Sequence, residues 1–194
     1  NRGIIIPYAL IATGLTMVGL WNNVLGGSTA LFGPILVKGY DVSDMFFIGR
    51  ALGALLLVAG ARPLARRWRE AVVAATVAMS FAGFLCLISC HQDLVNPVSL
   101  AWFATAAGSL GYTLASTSFY LLLATLGTPA GIALSIAVSI ALEVIISAPT
   151  ATLANETIQG ILTILVPLGA GATFCLAARH IPDAQKLQVE PEKH

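Results

Sequence analysis

Two charged residues, Arg50 and Glu143, lie in the interior of long apolar stretches of this 194-residue chain. A charge placed in hydrocarbon costs about 3 kcal/mol or more, so such residues usually find a polar partner or line a polar pathway. Counted from the ends that the charge pattern below places outside, they lie roughly 12 and 7 Å deep in helices. We expect an Arg50–Glu143 ion pair that faces the interior of a helix bundle. The alternative is that Arg50 extends to the interface while Glu143 is protonated or bonded to a hydroxyl group.

Serines recur along the stretch that contains Glu143. Ser135 and Ser139 precede Glu143 at a spacing of four, which places all three residues on one helix face. Two interpretations stay open at this point. The face lines a polar cavity that ends in a carboxylate, or it is a seam of small residues on which another helix packs closely. The seam alone does not explain the carboxylate.

Further hydroxyl and amide groups occur in two other apolar stretches. Hydroxyl groups in lipid must find hydrogen-bond partners, so the side of the helix that carries them should face protein or water. The paired asparagines of the first stretch either contact a ligand or cap the backbone near a helix end. The candidate ligand-contacting residues of these stretches are Asn22, Asn23, Tyr112, Thr113 and Tyr120.

The sequence carries none of the patterns that indicate catalysis or metal binding. It has no glycine-rich phosphate loop, no metal-ligand cluster and no nucleophile with an adjacent base. Its three cysteines include no CxxC pair. We therefore expect a protein that is not an enzyme and that has no metal site and no cofactor.

The composition indicates a polytopic membrane protein. Of the residues, 57% are hydrophobic and only 10% are charged, and the mean hydropathy is +0.87. A soluble domain carries roughly 25% charged residues, so this chain could not cover a water-facing surface. The expected partner is the lipid bilayer, and a net charge of +1 gives no reason to expect nucleic-acid contact by these residues.

Six apolar stretches are long enough to cross a hydrocarbon core, which requires about 20 helical residues. Residues 1–180 are thus predicted to form a six-span, all-α transmembrane domain. Residues 181–194, which contain Pro182, Pro191 and several charges, read as a cytoplasmic linker or tail. The predicted spans are Ile4–Leu31, Val42–Ala61, Ala71–Ser89, Val98–Leu126, Ala130–Ser147 and Thr157–Ala178.

A basic turn between the second and third stretches sets the predicted orientation. It holds four of the ten Lys/Arg residues, and short basic loops stay on the cytoplasmic side of a membrane. Both ends of this segment are then cytoplasmic. The topology-determining residues are Arg62, Arg66, Arg67 and Arg69.

The lengths of the stretches indicate two sets of three helices. The first and fourth stretches are the longest, and each opens a triplet. Three-plus-three arrangements with inverted topology build many transporter halves. We therefore expect a six-helix bundle with a 3+3 inverted repeat.

The run from Gly60 to Arg69 resembles a motif of the major facilitator superfamily (MFS). There, the turn between the second and third spans carries a pattern close to G-x-L-x-D-R-x-G-R-R. Here the first glycine and the last arginine fit, whereas Leu64 replaces the acidic residue and Arg67 replaces the second glycine. The resemblance implies that the chain is one MFS half and that a second six-helix half accompanies it.

A second resemblance is to the membrane region of bacterial LuxR-type transcriptional regulators. It rests on Leu110-Gly111-Tyr112, on the run from Ser118 to Leu122, on Ala133-Leu134-Ser135 with Pro149, and on the run from Ile164 to Leu168. It implies a sensory domain in the inner membrane of a bacterium that responds to an unknown small molecule, with a C-terminal helix-turn-helix DNA-binding domain outside these residues. The alternative is half of a secondary transporter of small molecules whose coupling involves Glu143, and a third interpretation is a structural membrane anchor.

Overall fold

The computed structural model describes residues 2–25, 43–91, 97–126, 128–151 and 155–180. Throughout these ranges the protein is all-α, and the predicted tail at 181–194 lies outside them. Seven α-helices and one π-helical segment, which continues directly from α1, make up this part of the chain. They are α1 (Arg2–Leu20), the π-helical segment (Trp21–Leu25), α2 (Ser43–Ala59), α3 (Ala61–Arg66), α4 (Trp68–His91), α5 (Pro97–Thr125), α6 (Pro129–Ala151) and α7 (Glu156–Arg179).

The short helix α3 occupies the region that the sequence predicts to be a basic turn. Pro63 is the third residue of α3, where its missing N–H has no acceptor within the helix and costs nothing. The helix ends where the Arg67 N–H bonds to the carbonyl oxygens of Pro63 at 3.2 Å and Leu64 at 3.1 Å. The described chain therefore has one more α-helix than predicted, because proline is tolerated in a first helical turn.

Helix α6 is longer than its predicted span. The prediction ends at Ser147 and places Pro149 in a turn, whereas the helix includes Pro149 and ends at Ala151. This extension changes the predicted depth of Glu143, which lies eight residues from the end of α6. Arg50 lies seven residues from the start of α2. Both charges are thus about 11 Å from the nearer ends of their helices.

Four helices in the described ranges are long and apolar enough to cross a membrane, two fewer than the predicted six spans. Helix α2 has 17 residues, or about 25 Å. Helix α5 has 29 residues, but serine, threonine and glycine lower its hydropathy. The four candidate spans are Ile5–Asn23, Trp68–Ser89, Pro129–Thr150 and Thr157–Arg179.

The long helices divide into a central group and two flanking helices. Helices α1, α4, α5 and α7 form the central group, in which α4 packs on both α5 and α7, and α1 packs on α7 and α5. Helix α2 packs mainly on α5, and α6 packs mainly on α1. We call α2 and α6 the flanking helices because each is attached to the central group chiefly through one neighbour.

Aromatic rings fill one end of the core. The Phe119 and Phe174 rings meet edge to face with centroids 5.1 Å apart, and Trp68 meets Phe174 in the same manner at 5.1 Å. Both phenylalanines are fully buried. By contrast, Leu134 and Ile145 of α6 are 66% and 67% exposed, which suits a helix whose outer face contacts lipid.

Candidate functional site

Three hydrogen bonds connect the two charged residues of the flanking helices. The Arg50 Nη2 group donates to Asn22 Oδ1 at 2.5 Å, and Asn22 Nδ2 donates to Asn23 Oδ1 at 2.5 Å. Asn23 Nδ2 then donates to Glu143 Oε1. We call these four residues the polar network. It joins α2 to α6 through the π-helical segment that follows α1.

The predicted direct ion pair is absent from the described residues, because the two asparagines stand between the charges. Arg50 does not extend to the interface but is held by an amide oxygen, and Glu143 bonds to an amide N–H rather than to a hydroxyl group. Each asparagine accepts on the side of the cation and donates on the side of the carboxylate. The amide dipoles therefore align with the field between Arg50 and Glu143, and hydrogen bonds to charged groups are the stronger ones.

The backbone around the asparagines has two features that place them. Residues Trp21–Leu25 are π-helical, a conformation that often occurs at functional sites. One turn earlier, the Cα of Gly19 lies directly against the Glu143 carboxylate, so that a Cβ atom there would collide with Glu143 Oε2. Glycine at position 19 thus leaves the space in which the short acidic side chain reaches Asn23.

A third helix contributes to the network through an aromatic ring. The guanidinium carbon of Arg50 lies 5.3 Å from the centroid of the Tyr112 ring of α5, within the range of a cation–π interaction. The Arg50 Nε atom is buried and has no hydrogen-bond partner. Arg50 is therefore stabilised by one amide oxygen and one ring face rather than by a carboxylate.

The structure brings together five of the nine candidate ligand residues and places the others elsewhere. Thr113 belongs to the contact between α2 and α5: its hydroxyl donates to the Ser109 carbonyl at 3.1 Å, and its Cβ lies against Gly53. Tyr120 is 51% exposed two helical turns beyond Tyr112. The five residues at or beside the network are Asn22, Asn23, Arg50, Tyr112 and Glu143.

The two serines of α6 lie in its contact with α1. Ser135 is 3% exposed and Ser139 is 6% exposed. The Thr16 hydroxyl of α1 lies 3.3 Å from the Ser139 carbonyl oxygen, to which it donates. This arrangement fits the second interpretation of this face, in which the serines form a small-residue seam with another helix. The seam ends at the polar network.

Three glycines that position the network were missed at the level of sequence. Gly49 lies against the Ala106 carbonyl of α5, and Gly53 follows one turn later against Thr113. Their spacing is the GxxxG pattern that lets helix backbones approach closely, so the sequence did contain this signal. For Gly19 it contained none, because only the fold places Glu143 opposite α1.

The network can bind a polar molecule but holds no group arranged as a nucleophile with its base. It offers a cation, a carboxylate and two amides at one place, and Asn23 is exposed. Comparisons with family models, curated proteins and solved structures found no match to this chain.

Proposed function

We propose that this chain is a ligand-responsive membrane domain and that the polar network is its small-molecule site. The observation that carries the proposal is the hydrogen-bonded connection from Arg50 on one flanking helix to Glu143 on the other. A membrane domain that only anchors a protein has no need for two opposite charges held by amides within its apolar helices. A small polar molecule that pairs with the cation, the carboxylate or both takes over these bonds.

Ligand binding at the network acts on the flanking helices. Each one packs mainly on a single neighbour, and the network is the polar link between them. A hydrogen bond to a charged group contributes about 1.5–3 kcal/mol, so exchanging such bonds for bonds to a ligand changes the relative stability of the positions of α2 and α6. A bound molecule therefore alters the domain by changing the positions of α2 and α6.

The helix packing supports the further proposal of an MFS-like half with a 3+3 inverted repeat. Helix α1 packs on α6 and α7 as α5 packs on α2 and α4, and the α4–α7 and α1–α5 contacts complete the set. Exchanging the first triplet (α1, α2, α4) with the second (α5, α6, α7) leaves this pattern unchanged. In this proposal α2 and α5 also cross the membrane, which gives six spans, and a second six-helix half packs on this one.

The resemblance to LuxR-type regulators directs the proposal to sensing. The domain then resides in the inner membrane of a bacterium with both ends in the cytoplasm, and its signal reaches a DNA-binding domain outside these residues. The alternative is half of an MFS-type transporter. The position of Glu143 favours keeping this alternative, because a half-buried carboxylate at a helix contact can exchange a proton or a cation along with a substrate.

A thermal-stability screen tests the proposed site. The chain in detergent is heated with a panel of amino acids, organic acids and amines, and with the network variants Arg50→Gln and Glu143→Gln. A true ligand at 100 times its Kd stabilises the wild type by about 2.7 kcal/mol and stabilises both variants less. Thr150→Ala, which changes a hydroxyl bonded within α6, is the matched control and keeps the full effect. Equal stabilisation of every variant would place the ligand elsewhere.

Proteoliposomes separate sensing from transport. A compound found in the screen is supplied outside vesicles that contain the full-length protein, and its uptake is measured. Uptake that Glu143→Gln abolishes supports the transporter, whereas binding without uptake supports the sensor. A promoter reporter in cells then shows whether the same compound changes transcription and whether Arg50→Gln removes the response.

A further inference from the structure

An apolar cleft of about 380 Å³ lies farther along α2 and α5 than the polar network: among its lining residues, Leu57 follows Arg50 by seven residues and Leu114 follows Tyr112 by two. It is bounded by α2, α3, α4 and α5. A volume of this size is in the range of small-molecule sites, about 300–1,000 Å³. Its lining is almost entirely hydrocarbon, with two hydroxyl groups and one cation at its edge. The lining residues used below are Leu57, Arg62, Trp68, Ala71, Leu114 and Leu121.

The cations around the cleft differ in how they are paired. Arg67 forms an exposed ion pair with Glu70 at 3.9 Å. The Arg69 Nη2 group donates to the Ala178 carbonyl at 3.3 Å, at the end of α7. Arg62 is exposed, lines the cleft, and has no hydrogen-bond or ion-pair partner within the described ranges. An exposed guanidinium group with no partner among the described residues therefore lines this apolar cleft.

We propose that the cleft holds one acyl chain of an anionic phospholipid whose phosphate binds Arg62. The acyl chain lies along Leu57, Leu114 and Leu121 and against the Trp68 ring. Basic pockets between membrane helices bind lipid phosphates in this manner, and arginine matches phosphate oxygens with two parallel N–H donors. The lipid is anionic rather than zwitterionic, because the basic region carries four arginines and one glutamate, and this excess of positive charge repels a choline group.

Quenching of tryptophan fluorescence by brominated lipid tests this site directly. The chain has three tryptophans, so the variant Trp21→Phe/Trp102→Phe leaves Trp68 in the cleft as the reporter. It is reconstituted in vesicles that contain brominated phosphatidylglycerol or brominated phosphatidylcholine at equal fractions. We expect phosphatidylglycerol to associate with the cleft about fivefold more strongly, the factor that one basic residue near an anionic lipid supplies. Equal quenching by the two lipids overturns the proposal.

Matched variants distinguish lipid binding at the cleft from a general attraction of anionic lipid to the basic region. Arg62→Gln removes the preference for phosphatidylglycerol, while Arg67→Gln, which changes a cation already paired with Glu70, keeps most of it. An equal loss in both variants shows only a diffuse attraction of the basic region and overturns the proposal. Ala71→Phe fills the cleft, so quenching by both lipids falls; unchanged quenching places the acyl chain outside the cleft.

Mass spectrometry of the intact chain covers the case in which the reporter variant does not fold. The wild type is released from mild detergent in the presence of phosphatidylglycerol and phosphatidylcholine at equal concentration. One phosphatidylglycerol per chain should be retained, and Arg62→Gln should lower that fraction about fivefold. Absence of a phosphatidylglycerol adduct on the wild type refutes the site.

Discussion

The two flanking helices are attached to the central group by similar seams of small residues, but the glycine nearest the charge lies on the flanking helix in one seam and on the central helix in the other. In α2 the glycines belong to the flanking helix, and Gly49 lies against the Ala106 carbonyl of α5. In α6 the flanking helix supplies the serines, and the glycine opposite the charge, Gly19, belongs to α1. Each seam places one charged residue in the same polar network.

The difference follows from the lengths of the two charged side chains. Arg50 reaches Asn22 from a helix that is closely packed along its own glycines, because its side chain is long and Tyr112 supports it. Glu143 is short, and the missing Cβ atom of Gly19 on the opposing helix leaves the space that its carboxylate occupies when it bonds to Asn23. A long charged residue thus tolerates a tight seam around itself, whereas a short one needs a gap in its neighbour.

The largest effect is expected from closing the α2 seam. Gly49→Val places side-chain atoms where the Ala106 carbonyl lies, and overpacking of this kind costs about 3 kcal/mol. Unfolding by SDS in mixed micelles measures the loss. The control is Ala51→Val, at an exposed position of α2, which should change the free energy of unfolding little. Similar losses in the two variants would show that α2 does not depend on this close contact.

Removing the carboxylate comes next in size. Glu143→Ala leaves the Asn23 N–H without its acceptor and should cost about 1.5 kcal/mol. Glu143→Gln keeps an acceptor oxygen and should recover more than half of that loss. The same SDS titration measures both variants. If glutamine is no better than alanine, the hydrogen bond to Asn23 does not contribute to stability.

The effect of Gly19→Ala on the free energy of unfolding should depend on the residue at position 143. Gly19→Ala in the wild type displaces the Glu143 carboxylate and should destabilise the chain by about 1 kcal/mol. In the Glu143→Ala background the space is free, and alanine should stabilise α1 by up to about 0.8 kcal/mol through helix propensity. A double-mutant cycle measures this coupling. Additive effects would mean that Gly19 does not make room for the carboxylate.

The smallest effects on stability are expected from removing one hydroxyl group in each seam. Ser109 donates across to the Phe46 carbonyl of α2 at 2.7 Å, so Ser109→Ala should cost about 0.6 kcal/mol, the average for hydrogen bonds between membrane helices. Ser139 donates to Ile136 of its own helix at 2.8 Å, so Ser139→Ala should cost less. Thermal unfolding in detergent ranks the pair, and the opposite order would contradict the assigned partners.

Much of the helical organisation could be predicted from residues that act locally. Pro97, Pro129 and the Asn155–Glu156 pair lie at helix starts, and Asn155 caps α7 by accepting from the Thr157 N–H at 3.0 Å. The errors came where proline is compatible with helix. Pro149 lies in the last turn of α6 instead of in a turn after it, and Pro63 lies in the first turn of the short helix α3, which the prediction did not contain.

The sequence predicted which residues belong to the site better than it predicted which of them bond to one another. Arg50 and Glu143 stand out in any sequence because an ionisable residue in an apolar stretch requires a partner. Their partners could not be read from spacing, since helical depth restricts which residues meet but does not fix which way a helix faces. The same reason explains why Thr113 and the α6 serines were candidate ligand residues although they lie in helix seams, and why the seam and cavity interpretations of the serines both stayed open.

By itself, the sequence determined an all-α chain of long apolar helices, the positions of its charges and the need for those charges to be satisfied. These properties depend on composition and on local backbone chemistry. Only the tertiary structure decided that two asparagines stand between Arg50 and Glu143, that Gly19 makes room for the carboxylate, and that an apolar cleft opens beside Arg62. These properties depend on the rotation of each helix about its axis, which is set by the packing of side chains from distant parts of the chain.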